Sequence, residues 1–203
     1  MDPNTTELKF KYNLKFSPPL LEENYISLEK WRIIFYRMGM IGKNKTTAVS
    51  YGDLAKRILV GENEFIITGL DTGEFANLDG TQYTRVTKCD LRKKTIEGIG
   101  PIAPSKDTHI HFLLFKSCPQ INFIFHIVHE PLFEHVIKNE NNILVDPFNR
   151  DFEAAEISIA NTIQDRSSGI LALKELPNNL ISFGPSAEIA GKLILDTLRE
   201  SRN

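Results

Sequence analysis

Two histidines at the end of one apolar run are the first residues that suggest metal chemistry. The run "FIFHIVHEP", residues 123–131, is predicted to be a buried β-strand, and it carries His126 and His129. Imidazole nitrogens are common zinc ligands. Residues three apart on a strand point to opposite faces, and the H-x-H position is occupied by Val128. The pair therefore chelates one ion only if a bulge or the end of the strand re-aims His129.

A second candidate is the pair Asp107 and His111, which are four residues apart on a predicted helix and share one face. The spacing favours a surface pair, or Asp107 stabilising the helix N-terminus, which Ser105 is predicted to cap. His109 and His135 match no motif in the sequence and are interpreted as solvated or core-edge residues. The sequence contains no phosphate-binding glycine loop, nucleophile elbow or H-E-x-x-H motif.

The candidate histidines and aspartates must be positioned by secondary-structure elements, and the hydrophobic pattern predicts an α/β domain. Apolar residues alternate with polar ones over residues 8–16, which is typical of a half-buried strand. A helical period follows over residues 20–40, and residues 42–53 are predicted to be a loop. Further strands are predicted at 64–69, 82–88, 93–100, 120–129, 169–176 and 178–184, and helices at 104–118, 151–164 and 186–201, the last capped by Ser186.

The composition predicts one globular domain. The chain has 203 residues, of which 41% are hydrophobic and 25% charged, and its formal net charge is −2. We expect a single domain over residues 1–203, with residues 1–19 as an N-terminal strand extension. Nothing in this balance indicates a nucleic-acid or membrane partner. Cys89 and Cys118 have no metal-type spacing and, without an apolar signal segment, favour a cytoplasmic protein with free thiols.

Five blocks of the sequence, taken in order, resemble the class II aldolase/adducin family. The blocks are "LEKWRIIFYRMGMIG", "SYGDLAKRI", "FIITGLDTG", "GPIAPSKDTHIHFLLFKSCPQINFIFHIVHEP" and "NNLISFGPSAEIAGKLI". They are similar to the family's opening helix, its G-N-[IL]-S-x-R segment, its T-G stretch, its S-S-E block with the H-x-H strand, and its closing strand and helix. The resemblance covers roughly residues 28–200.

The resemblance implies a three-layer αβα fold around a largely antiparallel central sheet. It also implies a homo-oligomer, often a tetramer. In the enzymes of the family three histidines hold Zn²⁺ and a glutamate acts as acid and base, while the zinc polarises a carbonyl and stabilises an enediolate. The family also includes the head of adducin, which is not an enzyme.

The metal ligands of the family are only partly present in this chain. The resemblance places the first histidine at His126 and the second at Val128, unless a one-residue shift lets His129 serve. The third falls at Leu176, and no histidine follows His135. Because catalytic zinc usually has three protein ligands, we expect no cofactor or a weak divalent metal, with His126 and His129 as metal candidates. An oxygen-rich hybrid site, which favours a harder ion, would draw on Asp107, Glu130 or Glu175.

The acid/base and phosphate positions of the family also differ here. The catalytic glutamate of S-S-E falls at Asp107, whose side chain is one methylene shorter. The phosphate-binding asparagine falls at Asp53, a carboxylate that repels phosphate, and Lys106 offsets this charge in part. The resemblance implies these substrate-binding residues: Asp53, Thr68, Gly69, Thr72, Gly73, Ser105 and Lys106.

Two functional hypotheses follow. The preferred one is a non-catalytic binding or assembly domain, a pseudoenzyme with a degenerate zinc-aldolase pocket, by analogy with adducin. The alternative is a divergent lyase or epimerase that acts on a sugar or another small carbonyl compound with altered metal ligation. An active form would be of the aldolase type, although two of three metal histidines and the catalytic glutamate are unmatched.

Overall fold

A nine-stranded sheet forms the centre of the molecule in the computed structural model, which describes residues 9–144, 151–164 and 166–202. The strands in chain order are β1 (Lys11–Phe16), β2 (Gly42–Lys43), β3 (Ser50–Tyr51), β4 (Asp53–Arg57), β5 (Phe65–Thr68), β6 (Tyr83–Asp90), β7 (Thr95–Gly100), β8 (Phe123–Val128), β9 (Ile143–Leu144), β10 (Gly169–Leu173) and β11 (Asn179–Gly184). The order in the sheet is β1-β7-β6-β5-β4-β8-β11-β10-β9, and β2 and β3 form a separate hairpin.

Antiparallel pairing holds the interior of this sheet together. Only its two outermost pairs, β1 with β7 and β9 with β10, are parallel. The strand β8 lies between β4 and β11 and is antiparallel to both. The largely antiparallel sheet predicted from the resemblance is therefore confirmed.

Helices cover both faces of the sheet. They are α1 (Glu22–Arg37), α2 (Thr108–Ser117), α3 (Glu130–Val136), α4 (Phe152–Ile163) and α5 (Ala187–Glu200). Along β8, Ile124 packs in the hydrophobic cluster under α2 and α4, whereas Phe125 packs in the cluster under α1, α3 and α5. This alternation on a strand buried on both faces gives the three-layer αβα arrangement that was expected. No helix in the described part of the chain is long and apolar enough to cross a membrane.

Most predicted elements are confirmed, and Ser186 caps α5 by accepting a hydrogen bond from the Ile189 N–H. The predicted first strand begins at Lys11, and Leu8 lies outside the described residues. The loop predicted over residues 42–53 is wrong, because it contains the β2–β3 hairpin and ends at the first residue of β4.

The strand β4 was missed because its sequence, "DLAKR", is polar. Its charged ends are nevertheless buried, since Arg57 donates hydrogen bonds to the carbonyl groups of Ile121, Phe115 and Cys118. The guanidinium thus satisfies backbone groups at the end of α2 and in the following loop. A polarity pattern alone cannot reveal a strand whose charges are used in this way.

A buried ion pair on α1 holds the loop that follows β5. Arg32 is 1% exposed and donates hydrogen bonds to the carbonyl groups of Thr72 (3.1 Å) and Phe75 (2.5 Å). Glu29, 3.7 Å from the same guanidinium, accepts hydrogen bonds from the Leu78 N–H and the Tyr83 hydroxyl. This network fixes the backbone around Thr72, which borders the cleft described below.

We predict that Arg32→Leu lowers the free energy of unfolding by about 3–5 kcal/mol, because Glu29 and the loop carbonyls lose their buried partner. Urea denaturation of wild type and variant measures the change. The control is Arg85→Leu, which breaks a pair with Glu64 whose side chains are 47% and 33% exposed, and which costs at most about 1 kcal/mol. Equal effects of the two substitutions would contradict the assigned role of Arg32.

Candidate functional site

A narrow cleft opens where three chain segments meet beside the middle of the sheet. It is bordered by the start of β4, by the loop after β5 and by the segment that leads into α2. A bridge between Gly69 and Pro104 joins the last two segments. The cleft is small, with about 300 Å³ of empty space even when the part open to solvent is included.

Asp53 is the most connected side chain of this cleft. It is the first residue of β4 and is paired in register with His126 of β8, so the two side chains project from the same face of the sheet. Its Oδ2 accepts a hydrogen bond from the Ser105 hydroxyl at 2.6 Å, and its Oδ1 makes a short contact with Nε2 of His111. Side chains from one other strand, one helix and one loop therefore converge on a carboxyl group that is 4% exposed.

The surroundings of Asp53 keep its carboxyl group ionised. Burial alone would raise the pKa of Asp53, but the charge and hydrogen bond of His111, with a smaller contribution from His126, hold the pKa well below its usual value. The sequence predicts that His111 and Asp107 form a surface pair. That interpretation is wrong, because His111 is fully buried and contacts Asp53 instead.

His126 lies between two carboxylates and an amide. Its Nδ1 is 3.7 Å from Oδ2 of Asp53 and 3.6 Å from Oδ2 of Asp107, and its Nε2 is 2.9 Å from Oδ1 of Asn179. The Asn179 amide nitrogen donates to the Pro177 carbonyl, which fixes the amide orientation. The Asn179 oxygen must therefore accept a hydrogen bond, and Nε2 of His126 carries the proton.

Two opposed effects set the proton affinity of His126. Burial lowers its pKa, but the polar contact with Asp53 and the charges of Asp53 and Asp107 outweigh burial and raise the pKa to about 9. For Asp107, burial and then the Asp53 charge raise the pKa. A carboxyl group with a raised pKa beside a basic imidazole is an arrangement that can exchange protons with a ligand in the cleft.

The helix-capping role predicted for Ser105 is wrong. Asp107 is the residue at the N-cap of α2, without a side-chain capping bond, and the helix begins at Thr108. The Ser105 hydroxyl donates to Asp53 instead and also accepts a 3.3 Å hydrogen bond from the Asp107 N–H. It thus couples the loop that carries Asp107 to β4.

The other residues expected to bind substrate also lie at this cleft or beside it. The Thr68 hydroxyl accepts from the Leu54 N–H, and the Thr72 hydroxyl donates to the Gly69 carbonyl. Gly73 lies so close to the backbone of residue 42 that a Cβ would collide with it. Lys106 is exposed at the cleft edge. The threonine hydroxyls are thus engaged within the protein.

His129 is separated from this cluster. The strand β8 ends at Val128, and His129 becomes the N-cap of α3, where its Nδ1 accepts a hydrogen bond from the Leu132 N–H at 3.2 Å. Burial and the charge of Arg202 lower the pKa of His129. Leu176, at the third family position, packs against the core beside α2 and α4. The hydrogen-bond partner of His126 on the neighbouring strand β11 is Asn179, which no motif in the sequence indicates.

Three ligand atoms beside the cleft lie close enough together to hold a metal ion. Oxygens of Asp53 and Asp107 and a nitrogen of His126 lie within 4.8 Å of one another. The Nδ1 atom of His126, on a side chain that is 3% exposed, faces the two carboxylates, and the described residues offer it no hydrogen-bond partner. Two oxygens and one nitrogen form a harder donor set than three imidazoles.

Solved structures of class II aldolases share this fold. L-fuculose-1-phosphate aldolase from Thermus thermophilus is 14% identical, with 90% of this chain and 92% of that chain covered and a TM-score of 0.61. An aldolase II superfamily protein from Pseudomonas syringae is 14% identical over 91% and 75% of the chains, with a TM-score of 0.63. The N-terminal class II aldolase domain of a conserved protein from Thermoplasma acidophilum is 12% identical over 92% and 96%, with a TM-score of 0.58.

These likenesses confirm the class II aldolase-like fold that the sequence blocks predicted. No protein-family model matches the sequence, and no curated protein sequence matches it. At such low identity the structural likeness shows the fold alone, so the chemistry of the cleft must be argued from its own residues.

The raised pKa of His126 predicts how stability depends on pH. A histidine whose pKa is about 9 in the folded chain and about 6.5 in the unfolded chain stabilises fully below pH 6.5, and this contribution is lost as the pH rises through 9. We expect the loss of stability caused by His126→Gln to be largest below pH 6.5 and to shrink by about 3 kcal/mol by pH 9.5. Urea denaturation in EDTA across this range measures it.

His129→Gln is the matched control for this experiment. In the folded wild type the pKa of His129 is lowered, so above pH 6.5 this side chain is neutral in both the folded and the unfolded chain. The stability difference between wild type and His129→Gln should therefore stay constant above pH 6.5. A difference between wild type and His126→Gln that also stays constant from pH 6 to 9.5 would refute the assigned environment of His126.

Proposed function

We propose that this chain is a small-molecule-binding domain that keeps the class II aldolase fold without zinc-dependent aldol cleavage. The observation that supports this most is that a single imidazole, His126, stands where the family enzymes gather three. Val128 and Leu176 hold the other two positions, and His129 caps a helix. One imidazole with carboxylates is a harder donor set than three imidazoles, so it suits zinc less well.

The charges of the cleft favour a ligand without a phosphate. Three aspartates border the cleft, Asp53, Asp71 and Asp107, against one basic residue, Lys106. Asp53 is held ionised by its buried partners, so its charge persists at neutral pH. A phosphate group placed beside Asp53 would be repelled by that carboxylate, whereas a neutral sugar or small carbonyl compound would not.

The chain's own groups supply hydrogen bonding for such a ligand. The Asp107 carboxyl group is partly exposed at the cleft and has a raised pKa, so it can offer a proton or accept one. Asp53, Asp107 and His126 would hold a divalent cation, which when bound would polarise a carbonyl oxygen. Ser105 and His111 orient Asp53 and leave Asp107 as the group best placed to meet the ligand.

A second candidate is a lyase or epimerase with altered metal ligation. Its support is the pairing of Asp107 with the imidazole of His126 at 3.6 Å, since a carboxyl group and a basic nitrogen in one cleft are the parts that proton abstraction requires. The aldolases of the same fold act on substrates such as L-fuculose 1-phosphate. For this chain, the substrate under this hypothesis is an unphosphorylated sugar or carbonyl compound.

We also propose an oligomeric state, a location and a range of partners for this chain. The resemblance to the family supports a homo-oligomer, with a tetramer as the expected form. The two buried free cysteines, Cys89 and Cys118, are compatible with the cytoplasmic location predicted from the sequence. Nucleic acid and membranes are not among the partners we propose.

We predict that Asp53→Asn improves the affinity for L-fuculose 1-phosphate about tenfold, or about 1.4 kcal/mol, because it removes the fixed negative charge of the cleft. Wild type should bind the phosphorylated sugar more weakly than L-fuculose itself. Isothermal titration of both sugars, with circular dichroism to verify folding, measures these affinities.

The matched control is Asp71→Asn, which removes an equal charge from an exposed position at the same cleft and should change affinity less than about threefold. Tight binding of the sugar phosphate to wild type, unaffected by Asp53→Asn, would overturn the proposal. Turnover of either sugar that is lost in Asp107→Asn would favour the second candidate.

A further inference from the structure

Oxygens of Asp53 and Asp107 and Nδ1 of His126 lie together without a hydrogen bond between them. The two separations from Nδ1 of His126, 3.7 Å to Asp53 and 3.6 Å to Asp107, exceed the usual length of a direct hydrogen bond. An ion with bonds of about 2.0–2.2 Å to its ligands is of the size that bridges such gaps. The separations therefore suit a shared cation.

The hydrogen bonds around His126 select the nitrogen that faces this space. Because Asn179 accepts from Nε2–H, a cation that displaces the other ring proton meets the lone pair of Nδ1, which faces the two carboxylates. Metal-bound histidines characteristically donate their other ring N–H to an oxygen in this way. The asparagine is therefore placed as an outer partner that sets the tautomer.

Asp53 is supported in the same manner. Its Oδ2, the oxygen nearest to His126, accepts the Ser105 hydroxyl, and its Oδ1 is occupied by His111. Ligating carboxylates are commonly oriented by such additional hydrogen bonds. Asp53 stands at the position that the resemblance assigns to phosphate binding, so a role as a metal ligand would be new to this chain.

We propose that Asp53, Asp107 and Nδ1 of His126 form an exchangeable site for a hard divalent cation such as Mn²⁺ or Mg²⁺. Two carboxylates and one imidazole suit such ions, which accept oxygen ligands and retain water in their remaining positions. The site replaces a three-imidazole arrangement by recruiting a carboxylate from β4, the strand next to β8. The proposed cation site is consistent with both candidate functions, the binding domain and the enzyme.

Titration with Mn²⁺ tests this site directly. The full chain is stripped with EDTA, desalted and titrated with MnCl₂, and loss of the free-ion signal in electron paramagnetic resonance reports binding. We expect one saturable site per chain below about 1 mM, the weak end of the range for oxygen-ligand sites. Asp107→Asn should weaken binding at least tenfold, and Mg²⁺ should compete for the same site.

Two further variants separate ligation from general charge attraction. Asp71→Asn removes the same charge from the same cleft outside the three-atom cluster and should change affinity less than about twofold. Asn179→Ala keeps all three ligands but removes the acceptor that fixes the Nε2–H tautomer of His126. It should weaken Mn²⁺ binding about 10–100-fold. Asp53→Asn is informative only if it folds, whereas Asp107 is partly exposed and its variant keeps the test decisive.

Absence of saturable Mn²⁺ binding by the folded wild type up to about 1 mM would overturn the inference. Equal weakening by Asp71→Asn and Asp107→Asn would also overturn it, because the ions would then be attracted only by the cleft's net charge. The sugar titrations are run in EDTA, where this site holds no cation, so failure of this inference is distinguishable from failure of the proposed function.

Discussion

The buried carboxylate of Asp53 is the constraint on which the rest of the site depends. A charge removed from water is stable only with close partners, and breaking a buried pair typically costs about 3–5 kcal/mol. Those partners come from β8, from α2 and from the segment before α2. The need to satisfy Asp53 therefore binds these elements together and determines which atoms of His126 and Asp107 face the cleft.

The same constraint connects fold and function. The register that pairs Asp53 with His126 lies in the middle of the sheet, where both faces are covered and a one-residue shift would move every side chain to the wrong layer. The loop on the opposite side of the cleft is held by the guanidinium of Arg32, deep in α1. The cleft is thus built on rigid elements, which is what preorganised recognition requires.

The sequence predicted the fold better than the site, for physical reasons. Apolar alternation and helical periodicity are local, so they revealed most strands and helices, and the order of blocks indicated the class II aldolase-like arrangement. The strand β4 escaped because Arg57 is buried by bonding carbonyl groups that lie about sixty residues away. The Asp53–His126 and His126–Asn179 contacts depend on the register between distant strands, which no local pattern contains. His111 was assigned to Asp107 by helical spacing, but Asp107 lies at the N-cap, before the first helical turn.

We propose that the three-imidazole ligation implied by the class II aldolase resemblance is replaced in this chain by an arrangement centred on Asp53. Its most direct test is the metal content of protein purified without chelator and dialysed, measured by inductively coupled plasma mass spectrometry. We predict much less than one Zn²⁺ per chain after dialysis, because two carboxylates and one imidazole form a harder donor set that holds zinc less tightly than three imidazoles. Stoichiometric zinc that survives dialysis and is lost in His126→Ala would contradict it.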